Sequence, residues 1–410
     1  MPARTAIFWA PLTALGIVLY LGLMSLFSRL PLDLVEGSND LRIYRATGEA
    51  LLRGEIPYRD FFIEYPPGSF LTFIPPAVLS TNATGFAESF ASEMALLLVA
   101  SLIFVALTAR NSGGFPAWPV PAITFALCAL MLYPVAVTRF DAIVAFTLAV
   151  AAWCAALGGR YRLIGFAALG LGAAAKLVPA LATVPLALIR RNGDRGRFQA
   201  IWGFAVFFAV VALFFVPAYL LGGDELARSF AYHANRGLQV ESLGASVLAG
   251  LGFVTDTPFA FGAFEVRGPG AEFLTSLSFP VTAVLLLLTA SLAYREHRMG
   301  RLDTTRFPRY AAALILAFML GSKVLSPQYV IWLLPLVPLA FGGFTGLGIS
   351  AVFLTVCWTT TQVYPLHYAD LLEGRPPGVE LLLTRNFLLA VLWAAMLFLP
   401  SRHRGKAASS

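Results

Sequence analysis

The stretch AIFWAPLTALGIVLYLGLMSLF, Ala6 to Phe27, holds no charged residue. Crossing a hydrocarbon core of ~30 Å takes ~20 mostly apolar residues in a helix, and this run is long enough. It is too long for a signal-peptide core, and no small-residue cleavage site follows it, so it is expected to remain as a helix. Runs of the same kind recur along the chain, where 58% of the 410 residues are apolar and 12% are charged. The charged share is half the usual quarter, and mean hydropathy is +0.76. These values exclude a water-soluble globule. They predict an all-α polytopic membrane protein of about 10–12 transmembrane helices, read as one unit over residues 1–410.

Helices are expected at about 6–27, 89–109, 116–134, 140–157, 199–221, 274–294, 310–321, 327–341, 345–362 and 381–399. A bent helical hairpin, interrupted by Lys176 and Pro179, is expected over 162–190. Twelve crossings result, with both termini on one side. Charge tests this, because cytoplasmic connections are rich in Lys and Arg. Arg4, Arg110, Arg160/Arg162, Arg190 to Arg197, Arg295 to Arg309 and Arg402 to Lys406 hold sixteen of the 29 basic residues but only three of the 22 acids, Asp194, Glu296 and Asp303. Polar chemistry is therefore expected on the opposite face, in loops at about 28–88, 222–273 and 364–380.

Cys128, Cys154 and Cys357 stand alone in apolar stretches and read as core residues, not as a disulfide or thiolate framework. The formal charge of +7 is spread over short loops that set orientation, which argues against nucleic acid as a partner. No spacing suggests a metal site, and no cofactor is implied.

The first outer loop reads GSNDLRIYRATGEALLRGEIPYRDFFIEYPPGS from Gly37 to Ser69. After Asp40, residues Leu41, Tyr44, Gly48, Leu51 and Leu52 share one helical face, and the helix should stop at Gly54. Such a helix lies in the headgroup plane, apolar face down, with Asp40 near its start. Asp40 could be an N-cap. Asn39 or Ser38 could cap equally well, leaving Asp40 as a proton acceptor beside Arg42 and Arg45. Asp60 and Glu64 compete for that role. Tyr65-Pro66-Pro67 imposes an extended, rigid entry to the next apolar stretch.

An acid soon after the first helix, then Tyr44-Arg45-Ala46, Gly54-x-x-Pro57-Tyr58 and Tyr65-Pro66-Pro67, resembles family 87 of the membrane glycosyltransferases of the GT-C fold. That family is similar to the mycobacterial mannosyltransferases of phosphatidylinositol mannosides and to a related arabinofuranosyltransferase. Gly172-Ala-Ala-Ala-Lys176-Leu-Val-Pro179, His233-x-x-Arg236 with Glu241-Ser242, Ser326-Pro327-Gln328-Tyr329 and Arg385-Asn386 extend the resemblance over the whole chain. It implies an inverting enzyme of a bacterial plasma membrane, working on the extracytoplasmic side. The donor would be a polyprenyl-phosphate sugar, mannose first and arabinofuranose second, and the acceptor a glycolipid or glycan hydroxyl. Asp40 would be the general base. The resemblance also departs from the family at Asn39, where some relatives have a second acid, and at Arg139-Phe140-Asp141.

The chemistry asks for cations where phosphate charge develops. Lys323, Arg236, His233, Lys176 and Arg139 fall near predicted outer helix ends and are the candidates for the donor phosphate or sugar. Tyr44, Arg45, Tyr58, Glu64, Tyr65, Glu241 and Gln328 are candidates for holding the acceptor or the loops. Each has a plainer reading. Lys176 could snorkel, Arg139 and Asp141 could form a local pair closing a turn, and His233 and Arg236 could sit on an exposed polar helix. A lipid or sugar transporter is the rival class, although no repeated halves are visible. A membrane acyltransferase would need a paired His and acid that the four histidines lack.

Overall fold

The computed structural model describes residues 2–31, 39–113, 117–189 and 195–400. The long apolar runs form helices that begin a few residues before their expected starts. They are α1 Pro2–Phe27, α3 Ala83–Gly113, α7 Arg195–Gly222, α10 Ala271–Arg298, α12 Gly343–Thr361 and α13 Gly378–Phe398. All six are long and apolar enough to cross a bilayer. Between them run shorter apolar helices, α4 Pro119–Met131, α5 Ala142–Leu157, α6 Tyr161–Ala175 and α11 Phe307–Gly321. The expected hairpin over 162–190 is α6 followed by the turns Val178–Ala182 and Thr183–Leu188, broken at Lys176 and Leu177. The expected helix at 327–341 is instead two short 3₁₀ turns, Pro327–Leu333 and Val337–Leu339. Pro327 and Pro338 open these turns, and Pro335 between them cannot donate to a helical ladder.

One packed group is α1, α3, α5, α6 and α7; the other is α10, α11, α13 and α12, with α4 joining α12 to α3. Buried alanines and glycines let these legs approach closely, as membrane helices do in the absence of a hydrophobic drive between them. On the outside of α7 and α10, Phe208, Leu213, Leu220, Phe279, Val284 and Leu287 are exposed, a surface suited to lipid.

Hydrogen bonds sort the connections into two ends. At one, buried Arg162 donates to the carbonyls of Leu186 and Ala187, buried Arg309 to those of Met396, Leu397 and Leu399, and His297 is bonded to the Leu188 carbonyl. Each satisfies carbonyls that a helix or turn leaves unpaired at its C-terminus. Arg110 stacks on Phe8 at this end. The connections that were read as basic thus cluster together, although Arg190 to Asp194, Arg402 to Lys406 and Ser38 lie outside the described residues.

At the other end lie α2 Asn39–Leu52, α8 Glu225–Ala234, α9 Leu243–Gly250 and a hairpin of β1 Phe259–Ala260 with β2 Ala263–Phe264. The amphipathic helix expected after Asp40 is α2. The loops at this end share a small core of their own, in which Leu238, Val240, Leu248 and Val266 meet Val363, Leu371 and Leu382.

Candidate active site

Asp40 is held by what surrounds the first turn of α2. The buried Tyr44 ring stacks on Phe73 at 4.5 Å and meets Phe90, Phe140 and Tyr65 at 5.3, 5.6 and 5.5 Å. The close approach requires glycine at position 48, where a Cβ would lie 2.5 Å from the Phe73 carbonyl oxygen. Pro66 is extended and Pro67 opens a 3₁₀ turn, as the Tyr-Pro-Pro run predicts. That turn rests on the end of α6 at Gly68, where a Cβ would be 2.5 Å from Ala174 carbonyl carbon.

These elements enclose a cavity of about 710 Å³. Asp40 lines it. Its Oδ1 accepts from the Tyr65 hydroxyl at 2.8 Å and more weakly from Tyr44 at 3.5 Å, and its Oδ2 lies 3.0 Å from an Arg139 guanidinium nitrogen. Arg139 also reaches the Tyr364 hydroxyl at 3.4 Å. The local Arg139–Asp141 pair is therefore corrected. Asp141 turns away into the bundle, where its Oδ1 accepts from Lys176 Nζ at 2.7 Å and Trp332 Nε1 at 2.6 Å. The two residues stand either side of Phe140, so the chain directs them to different partners.

Lys176, Arg236, His233, Glu64, Glu241 and Gln328 line the same cavity. His233 is exposed near the end of α8, as the plainer reading has it, yet it also lines the cavity; Arg236, half-buried, follows just beyond that helix. His233 Nε2 lies 3.0 Å from the Glu64 carbonyl oxygen, which can only accept, so Nε2 carries the hydrogen. Desolvation against the cavity wall lowers the His233 pKa from its ordinary value, favouring the neutral ring. Burial, and next the charge of Asp40, raises that of the Glu64 carboxyl.

Four sequence candidates stand elsewhere. Lys323 is not on the wall: its Nζ donates to the carbonyls of Ala234 and Arg236 at 2.7 and 2.6 Å and ties down the loop that carries Arg236. Arg45 pairs with Glu49 at 2.6 Å in a separate groove. Tyr58 is buried and donates to the Tyr65 carbonyl at 2.7 Å, supporting the loop. Tyr44 is buried beneath Asp40. Asp60, the other competing acid, is engaged by Arg59 and the Ile56 amide and does not line the cavity. Sequence reasoning missed Tyr364, Trp332 and Phe261, which do line it. Among the described residues no group of three His, Cys, Asp or Glu side chains could hold a metal.

A helical membrane bundle with this cavity among the loops at one end has the architecture of the GT-C glycosyltransferases. It is similar to the crystal structure of ArnT from Cupriavidus metallidurans bound to undecaprenyl phosphate, with a TM-score of 0.52 and 14% identity over 95% of this chain and 78% of that one. The apo form of ArnT gives 0.51 and 13% over 96% and 78%. No curated protein matches the chain. The chain belongs to glycosyltransferase family 87, whose sequence model matches residues 62–327. The match begins after Asp40 and includes Glu64, Arg139, Lys176, His233, Arg236 and Glu241.

Proposed function

We propose that this membrane glycosyltransferase moves mannose, or failing that arabinofuranose, from a polyprenyl-phosphate donor to a hydroxyl of a cell-envelope glycolipid or glycan, with inversion at the anomeric carbon. The reading is supported above all by one juxtaposition: Asp40, fixed by Tyr65 and Arg139, shares a cavity with the cations Lys176 and Arg236. ArnT, its structural neighbour, was crystallised with undecaprenyl phosphate, which favours the same lipid class as carrier. The cavity lies at the end of the bundle opposite the basic connections, which favours an extracytoplasmic reaction in a bacterial plasma membrane.

In this mechanism Asp40 accepts the proton of the acceptor hydroxyl as its oxygen attacks the anomeric carbon. The bond from that carbon to the phosphate oxygen breaks, and the phosphate leaves with the electron pair. Lys176 and Arg236 meet the developing charge through charge-assisted hydrogen bonds. His233, whose Nε2 hydrogen is held by the Glu64 carbonyl, presents Nδ1 as an acceptor for a sugar hydroxyl, while Gln328 and Glu64 stand where sugar hydroxyls enter. Lys323 serves by holding the Arg236 loop.

The test is transfer from labelled polyprenyl-phosphate mannose and arabinose to envelope lipid acceptors by the purified protein. Asp40→Asn is expected to lower turnover by about 10²-fold or more, the range for removing a general base, and Glu64→Gln much less. Equal turnover by wild type and Asp40→Asn would remove Asp40 from the reaction. Loss of sugar from neither donor would overturn the donor class.

A further inference from the structure

Asp141 has no contact with the cavity, yet it is 1% exposed in a chain that spans a membrane. A carboxylate is costly there unless it is paired. Its Oδ1 receives both Lys176 Nζ and Trp332 Nε1, and its Oδ2 has no hydrogen-bond partner. The second donor is neutral, so the countercharge comes from Lys176.

Lys176 is held in its place by two separate segments. Its Nζ lies 4.9, 5.3 and 5.2 Å from the ring centres of Phe140, Tyr329 and Trp332. Phe140 comes from the turn before α5, and the other two rings come from the 3₁₀ turn that replaces the expected helix. Aromatic faces attract a cation but take no proton from its hydrogen-bond count. An ammonium has three N–H donors, and Asp141 is its one hydrogen-bond acceptor among the described residues. The side chain nevertheless lines the cavity. A cation that is pinned from behind, boxed by rings and left with donors on the open side is an anion ligand.

We propose that Asp141 is a positioning residue that holds the Lys176 ammonium by their ion pair and turns it toward the cavity, where Lys176 binds the phosphate of the polyprenyl carrier. The inference rests on the donor class proposed above. It differs from a packing role for Asp141 in one respect. Burial disfavours a charged lysine, so a lysine that loses its acid partner should lose its proton as pH rises, and phosphate binding should go with it. A packing defect has no reason to depend on pH.

The experiment is equilibrium binding of undecaprenyl phosphate to the purified full-length chain in detergent, between about pH 7.5 and about pH 9.5, where a phosphate monoester with a second pKa near 6 keeps one charge state. The other ionisable groups on the wall, Asp40, Glu64, Arg139, His233, Arg236 and Glu241, with the phenols of Tyr65, Tyr232, Tyr329, Tyr364 and Tyr368, are common to every protein compared, so the difference from wild type reports Lys176. Wild-type affinity is expected to stay nearly level. In Asp141→Asn it should fall with rising pH, approaching tenfold per pH unit above the lysine midpoint. Adding Lys176→Arg to that variant should make the profile level again, since a guanidinium keeps its charge. A level profile for Asp141→Asn, whether or not binding is uniformly weakened, would overturn the proposal.

A measurement on the wild-type chain guards against a variant that does not fold. The protein has three lysines, Lys176, Lys323 and Lys406, so biosynthetic labelling with lysine carrying carbon-13 at Cε gives three side-chain resonances and leaves every N–H in place, with Lys176 assigned by its loss in Lys176→Arg. Undecaprenyl phosphate should shift the Lys176 signal, and an unmoved signal at saturating lipid would also overturn the proposal. Failure of wild type to bind the lipid at all would instead remove the donor class, and this inference with it.

Discussion

Tyr65 decides where the Asp40 carboxylate points. Its ring is wedged between Tyr44, Phe73 and Phe140, and its hydroxyl donates to Oδ1 at 2.8 Å while Arg139 takes Oδ2. A hydrogen bond to a charged group contributes about 1.5–3 kcal/mol. Tyr65→Phe should therefore lower kcat roughly tenfold or more while leaving donor KM nearly unchanged, because the ring and its packing survive; steady-state kinetics over both substrates would show it. At this scale the sequence was informative about polar residues. Asp40, Lys176, His233 and Arg236 stand out because charge is rare in such a chain, and all four line one cavity. Tyr364 and Trp332 were invisible, since an aromatic residue inside an apolar run looks the same whether it faces lipid, core or site. Arg139 was visible but mispaired, because adjacency in sequence says nothing about which way two side chains turn from a bend.

Two helix features set the geometry of the site. The first is the contact of α2 with residues 73–77, made possible by Gly48. Overpacking a close contact costs typically about 1–3 kcal/mol. Gly48→Ala should lower the unfolding midpoint in detergent and also reduce turnover, although Gly48 does not line the cavity, because α2 would have to lift with Asp40 on its first turn. Normal turnover in a destabilised Gly48→Ala protein would mean that Asp40 is not placed by that contact. The second is the break after α6. The sequence marks it by Lys176 and Pro179, and the helix indeed stops at Ala175, so the Lys176 side chain leaves the helix at the cavity. The amphipathic period of α2 and the Tyr-Pro-Pro entry were likewise legible, because both are local. The 3₁₀ turns at 327–339 were not: the apolar composition suits a helix, and only the proline spacing hinted otherwise.

For the whole molecule, the question is what joins the loops around the cavity to the bundle. Arg385 is 0% exposed and Glu241 is 1% exposed; they meet at 2.6 Å, and Arg385 and Asn386 also donate to the Glu241 carbonyl. This clamp fastens the loop after α8, including Arg236, to α13. Removing one partner of a buried ion pair costs on the order of 3–5 kcal/mol. Arg385→Met is expected to be strongly destabilised in thermal unfolding, and Arg385→Met with Glu241→Gln to recover much of that loss, since no buried charge is then left alone. A double variant as unstable as the single one would refute the clamp as an electrostatic device.

The membrane class, the approximate place of most apolar legs and the first-loop helix were all determined by the sequence alone. Hydropathy and charge act on each segment separately, as it enters or stays out of lipid, so they can be added up along the chain. Which acid meets which cation was decided only in three dimensions. Glu241 and Arg385 are 144 residues apart, and Asp141 and Lys176 are 35 apart. Such pairs form because burial leaves each polar group no water to bond with, and the partner that satisfies it is whichever one the packing of distant helices brings within reach.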